Sequence, residues 1–268
     1  MRAPLRRLLL GLLLAVPVAP AQAVDPWEGG TWPGDDGPSA NSIGHGESQV
    51  HDLQETNGND QDWVAVPTLS GHSYEARISG SSFAFDKGNC PLCPQFERVN
   101  ETGGILTEDQ AVVGEGTALE SDERTIRWMA GTNTTRHFVR VTGHFLNLED
   151  ASYVYRLRFW DTTYSVPRWS AANGQSTVFQ IANVGQLSAY VSINFYSATG
   201  GEVFSVVRLV GRNQSWVLDT GQYPQLAGAS GFAQVAHTAG YGGLAGRVTT
   251  LEPAAGIASE TPLLPIPY

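Results

Sequence analysis

The sequence predicts an all-β protein built as two β-sandwich domains, and three observations carry that prediction. Apolar residues recur at every second position in short runs, the spacing of strands with one buried and one wet face. The 268 residues include 30 glycines and 15 prolines, with seven tryptophans and only 16% charged residues, a composition of short strands joined by turns. No stretch of convincing length follows the 3.6-residue period of a helix, and no internal repeat recurs at a fixed spacing.

The first 23 residues, MRAPLRRLLLGLLLAVPVAPAQA, place Arg2, Arg6 and Arg7 ahead of an apolar run from Leu8 to Val18, followed by Ala21-Gln22-Ala23. That order is the one of a secretory signal peptide, so the expected location is secreted or extracellular, with periplasm or cell surface as variants of the same export. The run is short for a bilayer span, and no later stretch approaches the roughly 20 apolar residues a membrane helix needs, so no membrane insertion is expected. Taking the leader's three arginines from 16 basic residues leaves 13 against 26 acids, a net charge of −13. Such a balance repels phosphate backbones and anionic lipid, so nucleic acid is not an expected partner.

Residues 24–43 are rich in Gly, Pro and Asp and read as an irregular segment pinned by Trp27 and Trp32. The first sandwich is expected over 44–165. Its clearest strand is Ser73–Ser79, where Tyr74, Ala76 and Ile78 alternate with polar residues, and the same period recurs in Thr125–Met129, His137–Thr142 and Tyr153–Trp160. Between them Asp86 to Glu123 is long and polar, with weak strand signals at Phe96–Val99 and Ala111–Val113. The pattern breaks over Thr162–Gln175 at a proline and an Asn-Gly pair. A second sandwich follows over 166–268, with alternation at Thr177–Ile181 and Ala189–Phe195. The Ser197–Glu202 segment SATGGE then marks a hairpin, because glycine supplies the positive φ of a tight reversal. Strands at Val203–Val210, Trp216–Asp219, Phe232–Thr238 and Leu244–Leu251 complete it, and the closing ETPLLPIPY is expected to lie extended.

The stretch ETNGNDQDWVAV, Glu55–Val66, fails the EF-hand template, which requires glycine at the sixth position and a glutamate at the twelfth. A turn at Asn57–Asp60 feeding a strand at Trp63 explains it more simply, while calcium at a sandwich edge held by Asp60 or Asp62 stays open as the one cofactor alternative. The order Asp60-Gln61-Asp62-Trp63, Gly71, Tyr74, then Ile126-Arg127-Trp128 and Phe138-Val139-Arg140-Val141 resembles the bacterial pre-peptidase C-terminal domain. That resemblance implies a jelly-roll sandwich of the kind appended to exported enzymes, although no peptidase precedes it here. The second half is similar to immunoglobulin-like sandwich modules of bacterial surface proteins, which implies a fold and no activity.

The two cysteines, Cys90 and Cys93 in NCPLCP, read as a short disulfide formed after export rather than a redox pair or half a zinc site, since a zinc site needs four ligands. The six histidines stand singly, HExxH is absent, and GxSxG has only the near miss Gly228-Ala229-Ser230-Gly231. Trp63 and Trp128 fall in alternating patterns and read as core. Trp27, Trp32, Trp169 and Trp216 fall near loops or domain edges, where an indole can stack on a sugar ring. The expected function is therefore a non-catalytic binding or adhesive module recognising a polysaccharide or extracellular protein, with the domain junction as its site. A hydrolase whose carboxylate pair is invisible in sequence, or a structural envelope protein, are the alternatives.

Overall fold

A computed structural model of the chain describes residues 41–53, 61–79, 95–106, 113–120, 123–131, 136–142 and 153–265. These residues form strands with two short 3-10 turns, at Thr220–Gln222 and Pro224–Leu226, and the strands pair antiparallel throughout. The protein is all-β and consists of two β-sandwiches.

The first comprises β1 (Ser48–Leu53), β2 (Gln61–Val66), β3 (Ser73–Ser79), β4 (Gln95–Val99), β5 (Val113–Glu120), β6 (Glu123–Met129), β7 (His137–Thr142) and β8 (Tyr153–Asp161). A five-stranded sheet, β1-β8-β3-β6-β5, faces a three-stranded sheet, β2-β7-β4. The chain changes sheet at nearly every step, which gives the jelly-roll strand order 1-8-3-6 over 2-7-4; β5 instead folds back as a hairpin on β6. Inward-pointing side chains of both sheets fill the interior, where Tyr74, Trp128 and Phe159 pack with ring centroids 5.4 to 6.1 Å apart. Burying each such ring contributes on the order of 2 to 3 kcal/mol, which makes this cluster the centre of the domain's stability.

The second sandwich comprises β9 (Tyr164–Ser170), β10 (Ser176–Asn183), β11 (Ala189–Ser197), β12 (Glu202–Val210), β13 (Ser215–Asp219), β14 (Ser230–His237), β15 (Leu244–Glu252) and β16 (Ile257–Leu263). Sheets β13-β10-β15-β16 and β12-β11-β14-β9 enclose a core around Trp169, Phe179 and Phe195. In β10 the alternation is strict: Thr177, Phe179, Ile181 and Asn183 are buried and their neighbours are half-exposed.

Two segments differ from the sequence expectation. Pro167 does not end the strand pattern. It sits in β9, the sheet's edge, where its missing N–H costs no ladder bond, opposite a register shift at Gly231/Ala233 on β14. β1 pairs with β8 although its inward positions are Gln49, His51 and Leu53, two of them polar; the His51 ring stacks on Tyr155 at 5.4 Å and its Nε2 meets Gln49 Oε1 at 3.1 Å. Sheet membership changes between β8 and β9 across only Thr162 and Thr163, both buried.

Candidate functional site

The period of two places Glu75 and Arg77 of β3, Arg127 of β6, and Arg156, Arg158 and Trp160 of β8 on the five-stranded sheet's outer face, away from the core. Register sets Glu75 opposite both Arg127 and Trp160, and Arg77 opposite Arg158. One end of this face meets the second sandwich, and that meeting is where charged groups converge.

Glu75 is fully buried and its two oxygens are divided between neighbours: Arg77 Nη2 donates to Oε1 at 2.7 Å, while Arg127 Nε at 2.8 Å and the Tyr241 backbone N–H at 3.1 Å donate to Oε2. Tyr241 belongs to the β14–β15 loop, so one carboxylate ties the two sandwiches together. Gly240, at φ +80°, allows the approach: a Cβ there would fall 2.5 Å from Glu75 Oε2 and 2.9 Å from Arg127 Nε.

A second joint is made by the turn before β3. Asn194 Nδ2 donates to the Gly71 carbonyl at 3.2 Å, and Gln234 Nε2 donates to His72 Nε2 at 2.9 Å, which leaves His72 Nδ1–H to face Asp161 Oδ2 at 2.8 Å. Asp161 also accepts from the Thr163 N–H. Burial pushes the Asp161 carboxyl upward, but the bonds from His72 and Thr163 outweigh it and hold the group below the usual carboxylate range. Between the joints His237 is buried, its Nδ1 accepting from the Ala239 N–H at 3.1 Å and its ring tilted against Tyr164 at 5.3 Å. Burial drives His237 down to about 4, only partly offset by a bond to the Thr162 backbone and the nearby Glu75 charge. Tyr164, which donates to the Leu244 carbonyl, is pushed up to about 12, again by burial first.

At the rim of the junction Trp160 stacks with Tyr241, centroids 6.1 Å apart and planes 27° off parallel, with Arg77 over the indole at 5.4 Å and His45 6.0 Å from Tyr241. Trp160 and Tyr241 are half-buried; Arg158, two residues before Trp160 on the same face of β8, and Arg156, two further back, are exposed. An amphipathic ring surface flanked by planar, multiply donating guanidinium groups suits a hydroxylated or anionic ligand.

The sequence-derived site residues take other places. Trp169 is fully buried against Phe195 and its indole N–H donates to the carbonyls of Tyr196 at 3.1 Å and Phe232 at 2.8 Å. Trp216 is buried in the same core. Both indoles are enclosed by packing and offer no face for stacking, which corrects their assignment to a binding surface. Asp62 is also buried, accepting from Tyr155 Oη at 2.5 Å inside the first sandwich rather than opening at its edge, a placement that corrects its reading as an edge calcium ligand. Trp27, Trp32, Asp60, Cys90 and Cys93 lie outside the described residues. Among the described residues no three His, Cys, Asp or Glu side chains converge as a metal site, and no helix is long and apolar enough to cross a membrane. The signal that could have found Trp160 is its position in β8: it follows Arg156 and Arg158 on the strand's wet face, where a lone indole stands out.

No protein-family model matches the chain, and no curated protein matches its sequence. Among solved structures, the full extracellular region of zebrafish Gpr126/Adgrg6 is similar with a TM-score of 0.27 and 8% identity, over 83% of this chain. The match spans 31% of that chain, and a likeness this loose carries no argument about function.

Proposed function

We propose that the protein is exported and acts outside the cytoplasm as a non-catalytic binding or adhesive module for a polysaccharide or a surface protein. The N-terminal leader pattern supports the export. The observation that carries the binding reading is the half-buried Trp160–Tyr241 stack with Arg77 over the indole and Arg158 exposed on the same sheet face, at the rim of a junction tied by buried bonds. Rigid aromatic area costs little conformational entropy on binding, and guanidinium forks hydrogen-bond hydroxyls or carboxylates, so together they favour a sugar chain. The test is a glycan array followed by tryptophan-fluorescence titration of wild type and Trp160→Ala. Trp160→Ala is expected to weaken binding by about tenfold or more, as for an anchor residue, in protein that still unfolds cooperatively. A flat response to every glycan and to candidate surface proteins would sink the reading.

A further inference from the structure

The open part of the five-stranded sheet's outer face follows β8 away from the Trp160–Tyr241 stack. Successive outward residues of one strand stand about 7 Å apart, so Trp160, Arg158 and Arg156 form a line of about 13 Å. A line of that length suits a chain ligand rather than a single small molecule. Register adds a fourth member, because Arg77 of β3 lies directly opposite Arg158.

The charges along this face do not cancel. Among the described side chains it carries four guanidinium groups, Arg77, Arg127, Arg156 and Arg158, against two carboxylates, Glu75 and Glu123. Glu75 is taken up by Arg127 and Arg77 at the buried end, and Glu123 reaches Arg77 at 3.5 Å. Arg156 donates to the neutral Ser48 hydroxyl at 3.1 Å, and Arg158 is exposed with no ion pair among the described residues. Glu47, just ahead of β1, turns its carboxylate back onto the Gly44 N–H at 2.6 Å.

Like charges directly opposite each other across a strand pair oppose the pairing, so Arg77 and Arg158 place a cost on the sheet that an anion between them relieves. The strip is also a local reversal of sign. On a chain with a net charge of −10, a positive strip gathers anions at one place on a surface that otherwise repels them.

We propose, resting on the binding reading above, that the ligand is an acidic polysaccharide, a chain of sugars bearing carboxylate or sulfate groups. One ring stacks on Trp160, and anionic groups further along the chain are held by Arg158 and Arg156. Stacking supplies apolar contact, while the guanidinium fork meets an oxyanion through two parallel N–H donors and selects charged sugars over neutral ones.

Isothermal titration calorimetry of the purified protein with polygalacturonate, dextran sulfate, neutral dextran and polyglutamate tests this. At least one of the two acidic polysaccharides is expected to bind, the tighter one naming the anion, and dextran is not. Affinity should fall about tenfold between about 20 and 200 mM NaCl, as screening shortens the reach of the arginines. Arg158→Gln and Arg156→Gln should each weaken binding about tenfold, and Trp160→Ala by at least as much. Arg212→Gln, at an exposed arginine between β12 and β13, should leave it unchanged. Polyglutamate bound as tightly as the sugars, acidic polymers bound without regard to Trp160, or no binding of either acidic polysaccharide would each overturn the proposal. Neutral-glycan binding that needs Trp160 yet ignores salt and both arginine exchanges would overturn it while leaving the broader binding function standing, whereas silence toward every glycan and surface protein would remove both.

Discussion

His237 and His137 show what burial does to an ionisable group in this protein. Burial lowers both imidazoles to about 4, with the Arg98 charge adding to the effect at His137. A free imidazole titrates near about 6.5, so below that pH the unfolded chain binds protons that the folded one refuses. Stability is therefore complete above about pH 6.5 and falls as the pH drops toward 4. His237→Asn keeps an acceptor for the Ala239 N–H while removing the proton site. Its urea midpoint is expected to fall less than that of wild type between about pH 7 and pH 5. Equal falls would acquit His237. Glu75 presents the opposite case, a buried carboxylate facing Arg77 and Arg127. Glu75→Gln leaves Arg127 without its counter-charge and Arg77 with only the looser Glu123 contact at 3.5 Å, and such one-sided removal costs about 3 kcal/mol or more. A thermal-unfolding loss under about 1 kcal/mol would show that solvent compensates the arginines.

Strands were legible in the sequence wherever one face is apolar. Ser73–Ser79 and His137–Thr142 stand out because Tyr74, Ala76, Ile78, Val139 and Val141 fill the first core at every second residue. β1 was hidden because Gln49 and His51 occupy its inward positions, paired with each other, so periodicity marks it as polar. β9 was hidden by Pro167, which reads as a break until the edge position is known. The candidate site suffered similarly. Trp169 and Trp216 lie near the ends of their strands yet point into the core, whereas Trp160 points out, and its stack with Tyr241 of the β14–β15 loop is set by tertiary packing that periodicity does not record. At the same scale, Gly71 holds φ +76° with no room for a Cβ, which would sit 2.5 Å from Tyr196 Oη. Gly71→Ala is expected to lift this turn from the β11–β14 face and split the calorimetric endotherm in two. A single transition at an unchanged temperature would show the turn to be dispensable.

Across the whole molecule, two hydrophobic cores are coupled by a polar seam rather than by a third core. The seam's bonds are short and its groups largely buried, Glu75 and His237 completely so, and they compel the sandwiches to share one orientation. Unfolding of wild type should accordingly be a single cooperative event, with calorimetric and van't Hoff enthalpies equal. Resolved double transitions would mean the seam contributes less than either core. The connection between the domains is equally constrained. Ser73 accepts from the Thr162 N–H and donates its own N–H to the Thr163 hydroxyl, so the two connecting residues are stitched to β3. Endoproteases need several residues of loose chain to thread through their clefts. At this waist they would meet none, so limited digestion should release both halves as one undivided fragment, cut only in its peripheral loops.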